Sequence, residues 1–157
     1  MPKVSPFLWF DGTAGEAANL YVSVLGGKIL EERRWGAGAP VPEGSVMSVT
    51  FDIDGQQFTA FNGGPDHHFT DATSLWVNAD TQDEIDRVWD ALTADGGAGV
   101  ACGWLVDKFG LSWQVVPPIL GELLSDPDAE KAGRVMQAML GMVKLDIAGL
   151  EAAAVGP

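Results

Sequence analysis

One pattern occurs twice along this chain of 157 residues, and it restricts the folds that the chain can adopt. Each copy contains an apolar run, a Thr-x-x-Glu sequence, an apolar stripe at helical spacing, a pair of glycines and further apolar runs. The Thr-x-x-Glu sequences occupy 13–16 and 81–84, and the glycine pairs occupy 26–27 and 96–97. Chance is a poor explanation for matched features in the same order. The sequence therefore predicts two copies of a strand–helix–strands unit.

The first copy is predicted to contain four strands, at 4–10, 28–35, 45–54 and 56–62. Thr13 and Glu16 have the form of a capping box, in which the threonine side chain accepts from an early helical N–H group and the glutamate reaches back. Gly26 and Gly27 are expected to end the helix, because glycine tolerates the left-handed turn found there.

The second copy is predicted to contain strands at 74–78, 100–105 and 111–116. Thr81 and Glu84 form the second capping-box sequence, and Asp107 with Lys108 is expected to make a charged turn. The segment 62–71, which joins the copies, has the composition of a surface loop. After the strand at 111–116, Pro117 and Pro118 are predicted to prevent its continuation.

A helical tail is predicted after the second copy. Asp126 is the expected N-cap of one helix, with Pro127 in its first turn, and Asp146 is expected to begin a short last helix. The first of these helices has one apolar face, which needs a surface to cover. That surface belongs either to this chain's own sheet or to a partner's.

Composition narrows the class of protein. The chain is 46% hydrophobic with a net charge of −13, which disfavours nucleic acid and anionic membranes as partners. No apolar run approaches the roughly 20 residues that cross a bilayer. Cys102 is the single cysteine, so no intrachain disulfide forms, and a cytoplasmic location is expected. Without a plausible base partner in the sequence, Cys102 is interpreted as a packed residue.

Four segments resemble the PhnB-like family, also called demethylubiquinone methyltransferase-like, of the glyoxalase/bleomycin-resistance/dioxygenase (vicinal oxygen chelate) superfamily. They are residues 7–12, 61–65, 80–87 and 102–117. The resemblance implies an α+β fold in which paired βαβββ modules form a curved eight-stranded half-barrel, followed by a C-terminal helical extension. It also implies a homodimer. The expected divisions are 1–65, 66–124 and 125–157, within one compact domain.

Superfamily enzymes usually hold a divalent metal with His or Glu side chains from four strands. By this resemblance, the corresponding positions lie near Pro6, Thr59, Ser74 and Gln114, with Ser5 and Thr73 as alternatives to the first and third. Neutral hydroxyl and amide oxygens are weak ligands for divalent ions. We therefore expect no metal site of the usual kind.

His67 and His68 form the one histidine pair in the chain. Neighbouring side chains of an extended segment point in opposite directions, which hinders joint chelation. A solvated loop is the favoured interpretation; a lid in which one histidine titrates near neutral pH is the alternative.

The same register predicts the lining of a ligand pocket. Alternation along the strands assigns these residues to the concave face: Leu8, Phe10, Thr59, Phe61, Ser74, Trp76, Asn78, Gln114 and Val116. Phe58, Leu75 and Trp113 are expected beneath the helices. Apolar walls with a few hydrogen-bonding groups suit a flat organic ligand, although the same residues could fill an ordinary core. A slip of one residue would exchange the two sets.

The leading functional hypothesis is a metal-independent protein that binds a small apolar or aromatic, quinone-like molecule. One alternative is an enzyme: a metal-dependent lyase or dioxygenase, or the methyltransferase that the family name implies. The other is a dimeric interaction protein. The chain has no G-x-G-x-x-G sequence, so no nucleotide-like cofactor is expected, and no catalytic residue is assigned.

Overall fold

The computed structural model describes residues 2–157, which divide into two compact units. The first unit ends at Phe69, and the second spans Thr70–Pro157. Each unit contains one βαβββ module with its own four-stranded sheet, and the second unit also contains the C-terminal helices. The predicted α+β class, duplicated module and helical extension are confirmed. Within residues 2–157, no helix is both long enough and apolar enough to span a bilayer.

The first module has its elements in the predicted order. They are β1 Phe7–Phe10, α1 Ala14–Leu25, β2 Lys28–Arg34, β3 Val46–Ile53 and β4 Gln56–Asn62. The strand order in the sheet is β1-β4-β3-β2, with β1 parallel to β4 and the other pairs antiparallel. Tyr21 of α1 lies 6.2 Å from Phe51 between ring centroids, so α1 covers the sheet face that carries Phe51.

The second module repeats this topology. Its elements are β5 Ser74–Asn78, α2 Gln82–Thr93, β6 Ala98–Gly99, β7 Trp104–Val106 and β8 Ser112–Val116. The sheet order β5-β8-β7-β6 matches that of the first module. The predicted strand at 100–105 is wrong, because a turn replaces its centre. Cys102 and Gly103 both have positive φ angles, 54° and 86°, and they separate the two short strands β6 and β7.

The two helices begin differently, although their capping sequences match. Thr81 accepts a hydrogen bond from the Glu84 N–H at 3.2 Å, as predicted. Thr13 makes no side-chain cap, so the first predicted capping box is wrong. Asn62 replaces it: its Oδ1 accepts from the Ala14 N–H at 2.8 Å. A residue at the end of β4 therefore satisfies an N–H group that the start of α1 would otherwise leave unpaired.

Asp107 makes the predicted turn but is buried, with 2% of its surface exposed. Its Oδ1 accepts from the N–H groups of Phe109 at 2.9 Å and Leu111 at 3.1 Å. Its Oδ2 accepts from Nε1 of Trp113 at 2.8 Å. A buried carboxylate requires such partners. The Asp107 side chain therefore lies inside the turn that leads into β8 and holds it through these hydrogen bonds.

The tail folds as three helices, α3 Pro118–Leu124, α4 Ala129–Leu140 and α5 Ile147–Val155. The first of them was not expected. The N-cap of α4 is Asp128, which accepts from the N–H groups of Glu130 and Lys131, and not the predicted Asp126. Asp126 instead pairs with the Lys131 ammonium at 3.0 Å. The predicted start of the last helix next to Asp146 is confirmed.

The apolar side of the tail covers its own module. A buried cluster joins the end of β8 to the helices: Val116, Leu120, Val135, Leu145, Leu150 and Ala154. Polar bonds add to this packing, because Gln82 at the start of α2 donates to the Leu145 carbonyl at 3.1 Å and accepts from the Ile147 N–H at 2.8 Å. The tail therefore packs within the second unit, whereas Met136 and Leu140 of the predicted α4 stripe are 39% and 56% exposed. Contact of this stripe with a partner's surface stays a prediction.

An ion pair also joins the tail to α2. The Lys144 ammonium lies 2.8 Å from Oδ1 of Asp86. The hydrogen bond from Lys144, with another from Gln82, lowers the pKa of the Asp86 carboxyl below its usual value. Donating this bond to Asp86 raises the pKa of the Lys144 ammonium. Both groups are largely solvated, so this contact orients the tail more than it stabilises the fold.

We expect Leu145→Ala to lower the free energy of unfolding of the second unit by about 2–5 kcal/mol, because it removes a fully buried side chain from the cluster. Leu140→Ala is the matched control, since Leu140 is 56% exposed and its truncation leaves no cavity. Urea denaturation of both variants measures the difference. Equal stabilities would show that the tail is not packed as described.

Candidate ligand-binding faces

The strand register of the first module assigns each β1 side chain to a face. Phe7 pairs with Thr59 and Trp9 with Phe61, whereas Leu8 pairs with Ala60. Paired residues of neighbouring strands share a face. Phe7, Trp9, Thr59 and Phe61 therefore lie on one side of the sheet, which we call the open face because α1 covers the other.

The predicted pocket residues Leu8 and Phe10 are consequently misplaced. They are only 5% and 3% exposed and lie on the α1-covered face, with Ala60 and Phe58. The predicted alternation was correct, but its phase was wrong by one residue along β1. Thr59 and Phe61 lie on the open face. The structure thus separates the four predicted residues of this module into two pairs on opposite sides.

Four aromatic side chains of the first module form a cluster, which we call the aromatic platform: Phe7, Trp9, Trp35 and Phe61. Phe61 is central, with its ring centroid 5.1 Å from Phe7, 5.2 Å from Trp9 and 6.1 Å from Trp35. Phe7 is 61% exposed and the other three are half-buried. Sequence reasoning found only Phe61 of these four.

Contacts with the connector fix the orientation of Trp9. Its Nε1 donates to the Gly64 carbonyl at 2.9 Å. A Cβ atom at Gly63 would lie 2.2 Å from the indole ring, so only glycine allows this close approach. His67 packs edge-on against the same indole at a centroid distance of 4.6 Å. The glycine pair that follows Asn62 in the sequence was the available signal for this contact.

The predicted residues of the second module do share a face. The register pairs Ser74 with Ser112, Trp76 with Gln114 and Asn78 with Val116. The opposite face holds the buried residues Leu105 and Trp113. This placement agrees with the expected alternation along β5 and β8.

Two hydrogen bonds organise the polar groups on this face. Gln114 Nε2 donates to the Ser74 hydroxyl at 3.0 Å, which brings together two positions that the family resemblance had marked. Trp76 is 55% exposed, and its Nε1 donates to Asn78 Oδ1 at 2.9 Å. The side chains thus offer an exposed ring beside neutral amide and hydroxyl groups.

The side chains at the four positions implied for a metal do not suit a divalent ion. Thr59 and Ser74 offer hydroxyls and Gln114 offers an amide, all neutral oxygens, while Pro6 offers no side-chain donor. The Pro6 carbonyl already accepts the Thr59 N–H at 3.1 Å. Within residues 2–157, no three His, Cys, Asp or Glu side chains are arranged to hold an ion, and His67 packs on Trp9.

The paired βαβββ modules give the chain a glyoxalase-like fold. A structure of the fosfomycin resistance protein FosX from Listeria monocytogenes has a TM-score of 0.53 at 12% identity, over 78% of this chain and 97% of that one. A protein from Pseudomonas aeruginosa has a TM-score of 0.59 at 23% identity, over 74% and 98% of the two chains. At these identities the similarity concerns the fold alone.

A closer match identifies the family. The model of the 3-demethylubiquinone-9 3-methyltransferase family matches residues 2–116. A putative 3-demethylubiquinone-9 3-methyltransferase, the PhnB protein from Bacillus cereus, is 36% identical over 74% of this chain and 99% of its own, with a TM-score of 0.68. The chain therefore belongs to the 3-demethylubiquinone-9 3-methyltransferase (PhnB-like) family. No functionally curated protein matched it. The tail helices lie beyond the matched region.

Gly63→Ala is expected to displace the Trp9 indole, because the new methyl group would overlap the ring. We predict a changed near-ultraviolet circular dichroism spectrum at unchanged helix content. Gly15→Ala is the matched control: Gly15 lies in α1 with no atom near its added Cβ, and alanine there favours the helix. An unchanged aromatic spectrum for Gly63→Ala would contradict the described packing of Trp9.

Proposed function

We propose that the chain binds a small, largely apolar aromatic molecule, such as a quinone, on the aromatic platform, and that it does so without a metal ion. The observation that supports this proposal is the cluster around Phe61, in which four rings lie together while Phe7 remains 61% exposed. Exposed rings gain free energy when a ligand removes them from water. A flat ligand also gains about 0.5–1.5 kcal/mol for each favourable ring contact.

Preorganisation of Trp9 favours binding at this surface. Its ring is held by the bond to the Gly64 carbonyl and by the close contact with Gly63, so little rotational freedom remains to be lost when a ligand stacks on it. His67 contacts the same ring from the connector. In this proposal, the connector positions the platform rather than supplying a metal ligand.

The face of the second module that carries Trp76 and Gln114 supports a related proposal. Trp76 offers an exposed ring, and the Gln114–Ser74 pair offers an amide and a hydroxyl with hydrogen-bonding capacity left over. We propose that this face, with Asn78, contacts polar groups of a ligand. Measurements on Trp76 variants test this face independently of the platform.

The prediction for the platform uses menadione, a small naphthoquinone, as the probe. Trp9→Ala should weaken its binding about tenfold or more, because stacking area and the preorganised ring are both lost. Trp76→Ala is the matched tryptophan variant in the other module, and it should change affinity less. Isothermal titration calorimetry measures both, with urea denaturation as the control for folding.

Three outcomes would count against this assignment. If wild-type protein shows no saturable binding of menadione or of other apolar aromatic probes, the platform is not a ligand site. If Trp9→Ala binds normally and Trp76→Ala does not, the ligand binds the second module instead. If the two variants lose equal affinity, the platform has no special role.

Metal independence has a separate test. Because the marked positions supply only neutral oxygens, we expect untagged protein to contain substoichiometric Zn, Ni, Mn and Fe by inductively coupled plasma mass spectrometry. We also expect a chelator to leave menadione affinity unchanged. A stoichiometric metal that His67→Ala or His68→Ala removes would overturn this part of the proposal.

The family description favours methyl transfer as a second candidate function. A methyltransferase that uses S-adenosylmethionine should be stabilised by it, with a saturable rise in melting temperature.

We further propose, from the family resemblance, that the chain is a cytoplasmic homodimer. Light scattering of the purified chain tests the dimer, and a monomer mass at all concentrations would refute it.

A further inference from the structure

The open face of the first module changes character from strand to strand. The register pairs Trp9 with Phe61, Phe61 with Ser48 and Ser48 with Arg33, so these four residues form one row across β1, β4, β3 and β2. Because paired residues share a face, the row runs from the aromatic platform to a guanidinium at the far edge of the sheet.

A second row runs beside the first. Phe7 pairs with Thr59, Thr59 with Thr50 and Thr50 with Glu31. Each row thus has aromatic side chains at the β1 edge, hydroxyls in the middle and a charge at the β2 edge. Ser48, Thr50 and Thr59 are all half-buried, and their hydroxyls can donate or accept.

The spacing of the strands sets the size of a ligand that would use this gradient. Neighbouring strands lie about 4.8 Å apart, so about 10 Å separates the backbone at Phe61 from that at Arg33. The long arginine side chain shortens the distance that a ligand must span. A bicyclic ring with an acidic side chain of two or three carbons is of the right length.

Arg33 has donors to offer such a group. Its side chain is 60% exposed, and its Nε donates to Glu31 Oε1 at 3.1 Å. A guanidinium has five N–H donors in a planar fork that matches a carboxylate, and this contact uses only one of the nitrogen atoms. Glu31 holds Arg33 on the same face and at the same time competes with an incoming anion.

We infer that the platform's ligand is an aromatic acid, with its ring on Phe61 and Trp9, its short side chain over Ser48 and Thr50, and its carboxylate on Arg33. This inference rests on the proposed function, since it requires the platform to bind a ring. It adds a class of ligand and a residue that selects it. The protein's charge of −13 repels anions at long range, so selection depends on this local contact.

The test compares 3-(2-naphthyl)propanoate with the neutral 3-(2-naphthyl)propanamide, which has the same shape. Wild-type protein should bind the propanoate about tenfold more tightly, because a hydrogen bond between charged groups is worth more than one between neutral groups. Arg33→Gln should reduce propanoate affinity to that of the propanamide and leave propanamide affinity unchanged. Glu31→Gln should raise propanoate affinity, because it removes the competing carboxylate.

Arg87→Gln is the matched control, because it removes one positive charge from an exposed residue of α2 in the other module. Its propanoate affinity should equal that of the wild type. If Arg87→Gln and Arg33→Gln lose the same propanoate affinity, the effect depends only on net charge and the inference is wrong.

Two further outcomes separate this inference from the proposed function. If both naphthyl compounds bind equally and Trp9→Ala weakens both, the platform stands and the assignment of Arg33 is wrong. If neither compound binds the wild type, the platform itself fails as a ligand site. Calorimetry at one pH and salt concentration gives all of these affinities.

Discussion

Parallel pairing of β1 with β4 is the interaction on which the first module depends. It places Trp9 beside Phe61, which creates the aromatic platform. The same pairing brings Asn62, at the end of β4, to the start of α1, where it accepts the Ala14 N–H. The chain then continues into Gly63, against the indole of Trp9. One strand pairing therefore determines the aromatic platform, the start of the helix and the orientation of the indole.

Sequence periodicity predicted the strands well and the faces less well. The bounds of β4 and β5 match the predicted ranges, and alternation held along both. The phase of β1 was wrong because equal spacing was assumed in both modules. Phe10 and Asn78 each lie three residues before the threonine that precedes a helix, yet Phe10 is buried and Asn78 is exposed. Strand pairing determines which of the alternating residues face the helix, and the spacing between residues along the chain does not predict it.

The other surprises have the same physical origin. Matching Thr-x-x-Glu sequences suggested matching caps, but Thr13 lost its role to the Asn62 amide, which lies 48 residues after Ala14 in the sequence. A local sequence pattern assigns Asp107 to an exposed turn. Its carboxylate is buried because it accepts a hydrogen bond from the Trp113 indole. Local sequence predicts that a turn or a helix start exists. Which group satisfies its hydrogen bonds depends on the tertiary fold.

Alternation lets the same strands carry a packed face and the proposed binding face independently. On β3, Val49 and Phe51 are fully buried under α1, whereas Ser48 and Thr50, which alternate with them, face the open side. Substitutions on the open face thus leave the packed face intact, and a change in ligand preference need not lower stability. The gradient from rings through hydroxyls to Arg33 occupies only this face. Its chemistry can therefore be altered one strand at a time, while the side chains beneath α1 hold the sheet in register.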